Sequence, residues 1–278
     1  MKKNLLSKNL HQWLLLLVCF VATLPSWAED YTEDGIIYDL DRSAKTATVK
    51  GLEDKSATSA EIRNRVDGCE VTSIGLSAFE SCSSLTSINI PSSVNSIGAS
   101  AFRKCSSLTS IIIPSSVISI EDKVFDRCSS LISIDIPKSV KSIGWAAFWG
   151  CSSLTSINIP STVTSIGSDA FYNCSSLTAF TVDANNPNYS AEECMLFNKE
   201  KTTLIRALGG QKTYNIPSSV TSIGAYAFQY CSSLTSINIP SSVTSIGWAA
   251  FYDCSSLTSI NIPNSVKRIV DWTFYGCI

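Results

Sequence analysis

The sequence predicts an α/β repeat fold, a solenoid with a parallel β-sheet on one face and short helical turns on the other. Cysteines recur every 23 residues, first as Cys82, Cys105, Cys128, Cys151 and Cys174, and again as Cys231, Cys254 and Cys277. Prolines keep the same interval, from Pro91 to Pro160 and from Pro217 to Pro263. A near-identical unit surrounds each cysteine, and self-similarity at such a period is typical of stacked repeats.

The strand segment of each unit has the form Leu-x-x-Ile-x-Ile-Pro, as in Leu154, Ile157 and Ile159. Apolar residues at every second position predict a strand with one buried face, and the proline ends it. No unit can bury its apolar face alone. Stacking therefore places equivalent residues of successive units above one another, about 4.8 Å apart between strands.

The rest of the unit predicts a return path behind this sheet. Val94 and Ile97 form a second short apolar segment, which we expect to be buried from the other side. A glycine follows in six of the eight units, and we expect it to adopt a positive φ in a turn. The Ala-Phe-x-x-Cys segment then predicts about one helical turn, because residues three apart share a helix face.

The joined pattern Leu-x-x-Ile-x-Ile-Pro and Val-x-x-Ile-Gly-x-x-Ala-Phe-x-x-Cys resembles the BspA-type leucine-rich repeat of bacterial surface proteins. The resemblance covers Gly35 to Ile278. It implies a leucine-rich-repeat solenoid and an adhesive role, with host matrix proteins or other bacteria as partners.

Residues 1–28 are predicted to be a signal peptide. Lys2, Lys3 and Lys8 precede a short apolar stretch of residues 13–24, and cleavage is expected after Ala28. Lipid attachment at Cys19 is the less favoured alternative, because no small residue precedes it. No later segment is apolar enough to cross a membrane. We therefore expect a secreted or cell-surface protein.

The remaining chain is predicted to have two parts. Residues 29–69 are expected to form an N-terminal cap with a β-hairpin of segments 35–40 and 46–50. Residues 70–278 are expected to form the solenoid, in which 183–216 is an elongated repeat with a hairpin of segments 194–197 and 203–206. The last unit stops before its strand. Either the repeat is truncated there, or Trp272, Phe274 and Tyr275 cover the end of the core.

The composition argues against catalysis. His11 is the only histidine, and removal of residues 1–28 would leave none, with 18 basic and 23 acidic side chains. This excludes histidine-dependent nucleophilic catalysis and histidine metal sites. The carboxylates are scattered, and basic residues are not clustered as a phosphate backbone requires. We predict no enzymatic activity, no cofactor, no metal and no nucleic-acid partner. Asp183, Asn185, Asn186 and Asn188 offer oxygen atoms, but their spacing matches no known calcium loop.

The cysteines are interpreted as buried free thiols that fill one slot of the repeat. Equivalent cysteines in stacked coils would have parallel Cα–Cβ directions, which disfavours disulfide geometry. Cys69 and Cys194 lie outside this column, and a disulfide between them is the alternative.

Two surfaces are candidates for binding an extracellular protein or a glycan. The first is the exposed sheet face, a uniform array of hydroxyls and amides on which we select Ser87, Asn89, Ser133, Asp135, Ser156, Asn158, Ser236, Asn238, Ser259 and Asn261. The alternative is the turn face, where aromatic side chains could bind a glycan, with Trp145, Trp149, Trp248 and Tyr252 selected. Packing between neighbouring coils is the competing explanation for these aromatic residues.

Overall fold

The computed structural model describes residues 30–277, which form a β-solenoid of about nine turns. The expected α/β class is wrong, because these residues contain no helix. The parallel stacking of 23-residue coils is present, and it generates two ladders of short strands and a third column of turns.

The N-terminal end is a mixed sheet that leads into the solenoid. It contains β1 (Asp30–Glu33), β2 (Ile36–Asp41), β3 (Thr46–Leu52), β5 (Arg65–Val66) and β6 (Cys69–Ile74), whereas β4 (Ser59–Glu61), which lies between β3 and β5 in the chain, belongs to a separate ladder. Strand β2 pairs antiparallel with β1 and β3, whereas β6 pairs antiparallel with β5 and parallel with β3. Alternate side chains of β2 and β3 are buried and belong to the hydrophobic core.

The first ladder, which we call the sheet face, contains the strand segments of the repeat. Its strands are β4, β7 (Ser87–Asn89), β11 (Ser156–Ile159), β13 (Ala179–Val182), β18 (Ser236–Asn238) and β20 (Ser259–Asn261). Ser236 pairs with Ser259 and Asn238 with Asn261, so equivalent positions of the repeat are in register.

The second ladder contains the short Ser-Ile segments that follow the valine. These are β8 (Ser96–Ile97), β9 (Ser119–Ile120), β10 (Ser142–Ile143), β12 (Ser165–Ile166), β17 (Ser222–Ile223) and β19 (Ser245–Ile246). Strand β10 pairs parallel with β9 and β12, and each isoleucine lies opposite the isoleucine of the neighbouring coil.

The elongated repeat adds three strands between β13 and β17. They are β14 (Tyr189–Glu192), β15 (Met195–Asn198) and β16 (Thr203–Ala207). Strand β15 pairs antiparallel with both neighbours, and β16 pairs parallel with β17 to continue the second ladder. The insertion therefore supplies a strand to the solenoid, although it contains no Ala-Phe-x-x-Cys turn.

The predicted helical turns are replaced by turns whose hydrogen bonds alternate in direction. The N–H groups of Ser100, Phe102 and Lys104 donate to carbonyl oxygens of the next coil at 2.7–2.9 Å, whereas those between them donate three residues back. Each turn also has two residues with positive φ, four positions apart: Ser77 and Ser81, Ser100 and Lys104, Lys123 and Arg127, Ala146 and Gly150, Asp169 and Asn173, Tyr226 and Tyr230, Ala249 and Asp253, and Trp272 and Gly276. Residues with positive φ cannot continue a right-handed helix, so these turns are not helical.

The repeat glycine is needed for space, which corrects the expectation that it adopts a positive φ. The six repeat glycines are absent from the positive-φ positions. A Cβ atom added at Gly167 would lie 2.5 Å from the amide nitrogen of Trp145, and one at Gly247 would lie 2.5 Å from that of Ala225. In these units the main chains of neighbouring coils therefore approach too closely for a Cβ atom, whereas two other units carry Glu121 and Val270 at this slot.

The core is a set of columns along the solenoid axis. Phe79, Phe102, Phe125, Phe148 and Phe171 are stacked with ring centroids 5.3–5.7 Å apart, and Phe228, Phe251 and Phe274 continue the column beyond the elongated repeat. At the interruption, Phe180 packs against Phe171 and Tyr214 packs against Phe228, both edge to face. These two rings close the ends of the column with apolar surface.

Candidate functional site

The sheet face presents the ten predicted polar residues on one side of the solenoid. All are exposed except Ser236, which is partly buried. Asn261 Nδ2 donates to Asn238 Oδ1 at 3.3 Å, and Thr181 Oγ1 donates to Asn158 Oδ1 at 3.1 Å. Some of these polar side chains therefore form hydrogen bonds with their equivalents in the neighbouring coil. Ile112 occupies the same slot and is 82% exposed.

The four aromatic residues selected from the sequence lie at two different slots of the turn. Trp145 and Trp248 follow the glycine, whereas Trp149 and Tyr252 follow the phenylalanine. Trp145 interacts with the neighbouring coils, because Lys123 Nζ lies 4.5 Å above its ring and its Nε1 donates to Asp169 Oδ2 at 3.4 Å. The structure thus gives Trp145 polar partners of its own.

A continuous array of aromatic rings covers the turn face of the C-terminal half, and we call it the aromatic ribbon. Neighbouring rings in it have centroids 4.2–6.4 Å apart. Its members are Trp149, Tyr172, Tyr226, Tyr230, Trp248, Tyr252, Trp272 and Tyr275. Trp248 and Tyr252 both contact Trp272, at 6.4 and 6.2 Å. The array forms because successive units have aromatic residues at positions of the turn where the repeat sequence varies.

Much of the ribbon remains accessible to solvent. Trp248 is 44% exposed, Trp272 51% and Tyr275 55%. Large rings that contact one another and remain exposed provide apolar area with little conformational freedom to lose on binding. The ribbon is therefore suited to a macromolecular partner, and packing between coils accounts for only part of its surface.

A basic groove that sequence reasoning missed adjoins the aromatic ribbon at Trp149. It has a volume of about 600 Å³ and is lined by Lys104, Arg127, Trp149 and the serines 83, 106, 129 and 152. Lys104 and Arg127 occupy one slot of adjacent units, so alignment at the 23-residue period is the signal that could have found them. The serine hydroxyls of 106, 129 and 152 donate to the preceding coil's carbonyls at 3.2–3.5 Å.

Beside this groove, three charged residues form an ion-pair column. Arg103 Nη1 lies 2.7 Å from Glu80 Oε1, and its Nε lies 2.9 Å from Asp126 Oδ2. The pKa of Glu80 is lowered, first by a hydrogen bond from Ser77 and then by the contact with Arg103. Because Asp126 is buried, its charge needs compensation, and Arg103 is the nearer of its two cations, since Arg127 Nε lies 3.8 Å from Asp126 Oδ1.

The ten cysteines of residues 30–277 are all free thiols, so the alternative disulfide between Cys69 and Cys194 is not formed. Burial raises the pKa of Cys105 and of Cys174 to about 12. Thiolates are the reactive form, so these protonated thiols are suited to packing rather than to nucleophilic chemistry.

The polar loop at residues 183–188 is held by its own hydrogen bonds. Buried Asn186 donates through Nδ2 to the carbonyls of Pro160 and Val163, and its Oδ1 accepts from Asn188 and Tyr189. Across residues 30–277 no group of three or more His, Cys, Asp or Glu side chains could hold a metal ion.

Comparison with known proteins confirms the family resemblance. The profile of the BspA type leucine-rich repeat region matches residues 71–196 and 210–278, in six copies. A leucine-rich cell surface protein of Faecalibacterium prausnitzii is 28% identical, over 92% of this chain and 82% of that one, with a TM-score of 0.67. Leucine-rich repeat proteins of Eubacterium ventriosum and Bacteroides ovatus are 27% and 26% identical, with TM-scores of 0.65 and 0.55.

These two alignments cover 84% and 90% of this chain and 71% and 93% of the respective structures. None of the curated proteins is significantly similar to this chain. Within residues 30–277 there is no helix of the length and apolarity that a membrane crossing needs.

Proposed function

This chain belongs to the BspA type leucine-rich repeat family, and from that premise we propose that it is an adhesion protein, secreted or held at the cell surface, that binds host matrix proteins or other cells. Members of this family act in protein interaction at the cell surface and are typically not enzymes. We assign the contact with the partner to the aromatic ribbon.

The exposed rings of the ribbon carry this assignment. Protein interfaces are enriched in tyrosine and tryptophan, which dominate the binding energy when a partner excludes water from them. Trp248, Trp272 and Tyr275 are each between 44% and 55% exposed and lie within one contiguous array. The sheet face is the rival surface, and it differs from the ribbon because its exposed side chains are uniform and polar.

Immobilised matrix proteins and mucins should retain the purified protein. The variant Trp248→Ala/Trp272→Ala should lose at least about tenfold in affinity, as expected when two central aromatic contacts are removed. Leu76→Ala is the matched control, because Leu76 occupies the slot of Trp248 in the first unit and is 75% exposed. It should bind as the native protein does.

The variant Asn158→Arg/Asn238→Arg tests the rival surface by adding charge and bulk to the sheet face. If it abolishes retention while the tryptophan variant binds normally, the sheet face is the contact surface. If none of the immobilised proteins or cells retains the native protein, the adhesive function is rejected.

Glycan binding is the second candidate, and the neighbourhood of Trp149 favours it. This ring lies in the basic groove with Lys104 and Arg127 and also begins the aromatic ribbon. A sugar ring could stack on Trp149 while its carboxylate or sulfate group pairs with the two cationic side chains, so this site suits an acidic glycan. On a glycan array, Trp145→Ala/Trp149→Ala should abolish binding to acidic glycans. Unchanged binding by this variant would show that the aromatic residues serve packing.

Export is part of the proposal. The predicted signal peptide, residues 1–28, lies outside the described residues. Expression of the complete chain should yield secreted or surface protein whose N-terminal residue is Glu29, as shown by mass spectrometry. We further propose that residues 29–69 act as a cap and 70–278 as the solenoid with its elongated repeat. Deletion of 29–69 should then expose the apolar end and cause aggregation.

A further inference from the structure

Within residues 30–277, the column of turns is interrupted at the elongated repeat. The turn of residues 167–174 is followed in space by that of 224–231, because the insertion contributes a strand but no turn. A cavity of about 260 Å³ lies between them, and we call it the turn gap. It is lined by both turns and by the elongated repeat, including Asp169, Phe171, Tyr172, Arg206, Ala225 and Tyr226.

On one side of the turn gap, main-chain carbonyls of the turn 224–231 accept hydrogen bonds from residues of the elongated repeat. The N–H of Ala207 donates to the carbonyl of Ala227 at 2.7 Å. Arg206 donates from Nη1 to the carbonyl of Tyr226 at 2.7 Å and from Nη2 to that of Gln229 at 3.3 Å. The carbonyls of Ala227 and Gln229 occupy slots that accept from a preceding turn elsewhere in the solenoid, and here they are paired with Ala207 and Arg206, whereas that of Tyr226 also accepts from Gln229 within its own turn.

The other side of the turn gap is open. In the preceding coil, the N–H groups of Ala146, Phe148 and Gly150 donate to the next turn at 2.8–3.1 Å. Their equivalents are the N–H groups of Asp169 and Phe171, which line the gap, and of Asn173, which directly follows the gap-lining residues and also lines the basic groove; none of the three donates to a carbonyl of another turn. Buried main-chain donors are almost always paired in folded proteins, with protein groups or with water, so these three N–H groups without a protein partner are free to donate to an acceptor brought by a ligand.

Two side-chain atoms add to these open groups. Arg206 Nε and Asp169 Oδ1 are buried without a hydrogen-bond partner. Arg206 forms no ion pair with the acidic residues of 30–277. Tyr172, which lines the gap, meets the ring of Tyr230 edge to face, with centroids 5.2 Å apart. The gap thus offers donors, one acceptor and aromatic walls, and it lies within the aromatic ribbon.

We propose that the turn gap binds a short extended polypeptide segment of the protein partner, which takes the place of the missing turn. The donors belong to every second residue, 169, 171 and 173, and polypeptide carbonyls complement that spacing as they do when a strand is added to a sheet edge. A peptide N–H can donate to Asp169 Oδ1. This inference rests on the proposed function, because it names the part of a protein partner that the ribbon region would hold.

The variant Ala225→Trp tests the site by filling the mouth of the gap. Tryptophan already occupies this slot at 145 and 248, so the fold accepts it. Ala99→Trp is the matched control, at the same slot far from the gap. A phage-displayed library of random dodecapeptides is panned against the native protein and both variants. Peptides enriched on the native protein should bind Ala99→Trp equally and Ala225→Trp at least about tenfold more weakly.

Amide hydrogen exchange by NMR provides the second measurement. In the free protein, the N–H groups of residues 169, 171 and 173 should exchange at least about tenfold faster than those of Lys123, Phe125 and Arg127, which are hydrogen bonded. An enriched peptide should slow the first three and leave the others unchanged.

The proposal is overturned if no peptide discriminates between the native protein and Ala225→Trp, or if bound peptides leave these amides unprotected. Adhesion assays separate this failure from failure of the proposed function. Retention on matrix proteins that depends on Trp248 and Trp272 but is unaffected by Ala225→Trp, together with negative panning, would remove the peptide site alone.

Discussion

Cys151 Sγ donates a hydrogen bond, 3.1 Å long, to the main-chain carbonyl of Phe125 in the preceding coil. The same bond joins Cys105 to Phe79, Cys128 to Phe102, Cys174 to Phe148 and Cys254 to Phe228. The thiol thus fills apolar volume and also pairs with a carbonyl of the neighbouring turn. This explains why cysteine, and not alanine or valine, suits this slot.

Replacement Cys151→Ala should lower the free energy of unfolding by about 1–3 kcal/mol, since it removes buried volume and leaves the Phe125 carbonyl without its thiol donor. Urea denaturation would measure this. Cys277→Ala is the matched control, because Cys277 makes the same bond to Phe251 but is partly exposed. A loss at Cys277 as large as at Cys151 would contradict the explanation by burial.

Stability should fall as the pH rises from about 9 to about 12. The folded-state pKa of Cys105 and of Cys174 is raised to about 12, against 9.0 for an ordinary thiol. Below pH 9 both states are protonated and the stability is fully present. Above it the unfolded thiols ionise first, so each costs up to about 1.4 kcal/mol per pH unit until the folded pKa is reached.

Denaturation under reducing conditions at several pH values would test this dependence. The variant Cys105→Ala/Cys174→Ala should show a shallower decline with pH than the native protein, although it is less stable at neutral pH. Equal slopes in the two proteins would show that these thiols do not cause the decline.

Replacement Arg103→Met should destabilise the fold by about 2–4 kcal/mol, because it removes the nearer cation of the buried Asp126 carboxylate and leaves only the longer contact with Arg127. Thermal unfolding monitored by circular dichroism would measure the loss. Adding Asp126→Asn should restore part of it by removing the buried charge. If the double variant is less stable than Arg103→Met alone, the explanation by charge compensation is wrong.

Replacement Gly167→Ala should destabilise the solenoid by about 1–3 kcal/mol, since the new Cβ would force the coils apart at Trp145. Ser168→Ala is the control, at an adjacent and exposed position, and should change stability little. Equal effects of the two substitutions in chemical denaturation would show that the close approach of the main chains is not limiting.

The turn gap could be predicted from the sequence only in part. The interval of 57 residues between Cys174 and Cys231, against 23 elsewhere, already indicates that one unit lacks its turn. It does not indicate that Arg206 caps the carbonyls of the following turn or that Phe171 has an open N–H. These hydrogen bonds depend on which main-chain and side-chain groups of neighbouring coils lie next to one another in the folded protein. The basic groove could have been predicted, because Lys104 and Arg127 align at the period of the repeat.

The sequence by itself determined the period, the family, the buried columns and the pairing of equivalent positions, because a repeat can bury its apolar residues only against copies of itself. Only the tertiary structure decided the path of the turns, the role of the glycine and the continuity of the aromatic ribbon. The Ala-Phe-x-x-Cys segment would suit a helical turn if its hydrogen bonds were local. In the solenoid, alternate N–H groups such as that of Phe102 donate to the next coil, and this competition replaces the helix.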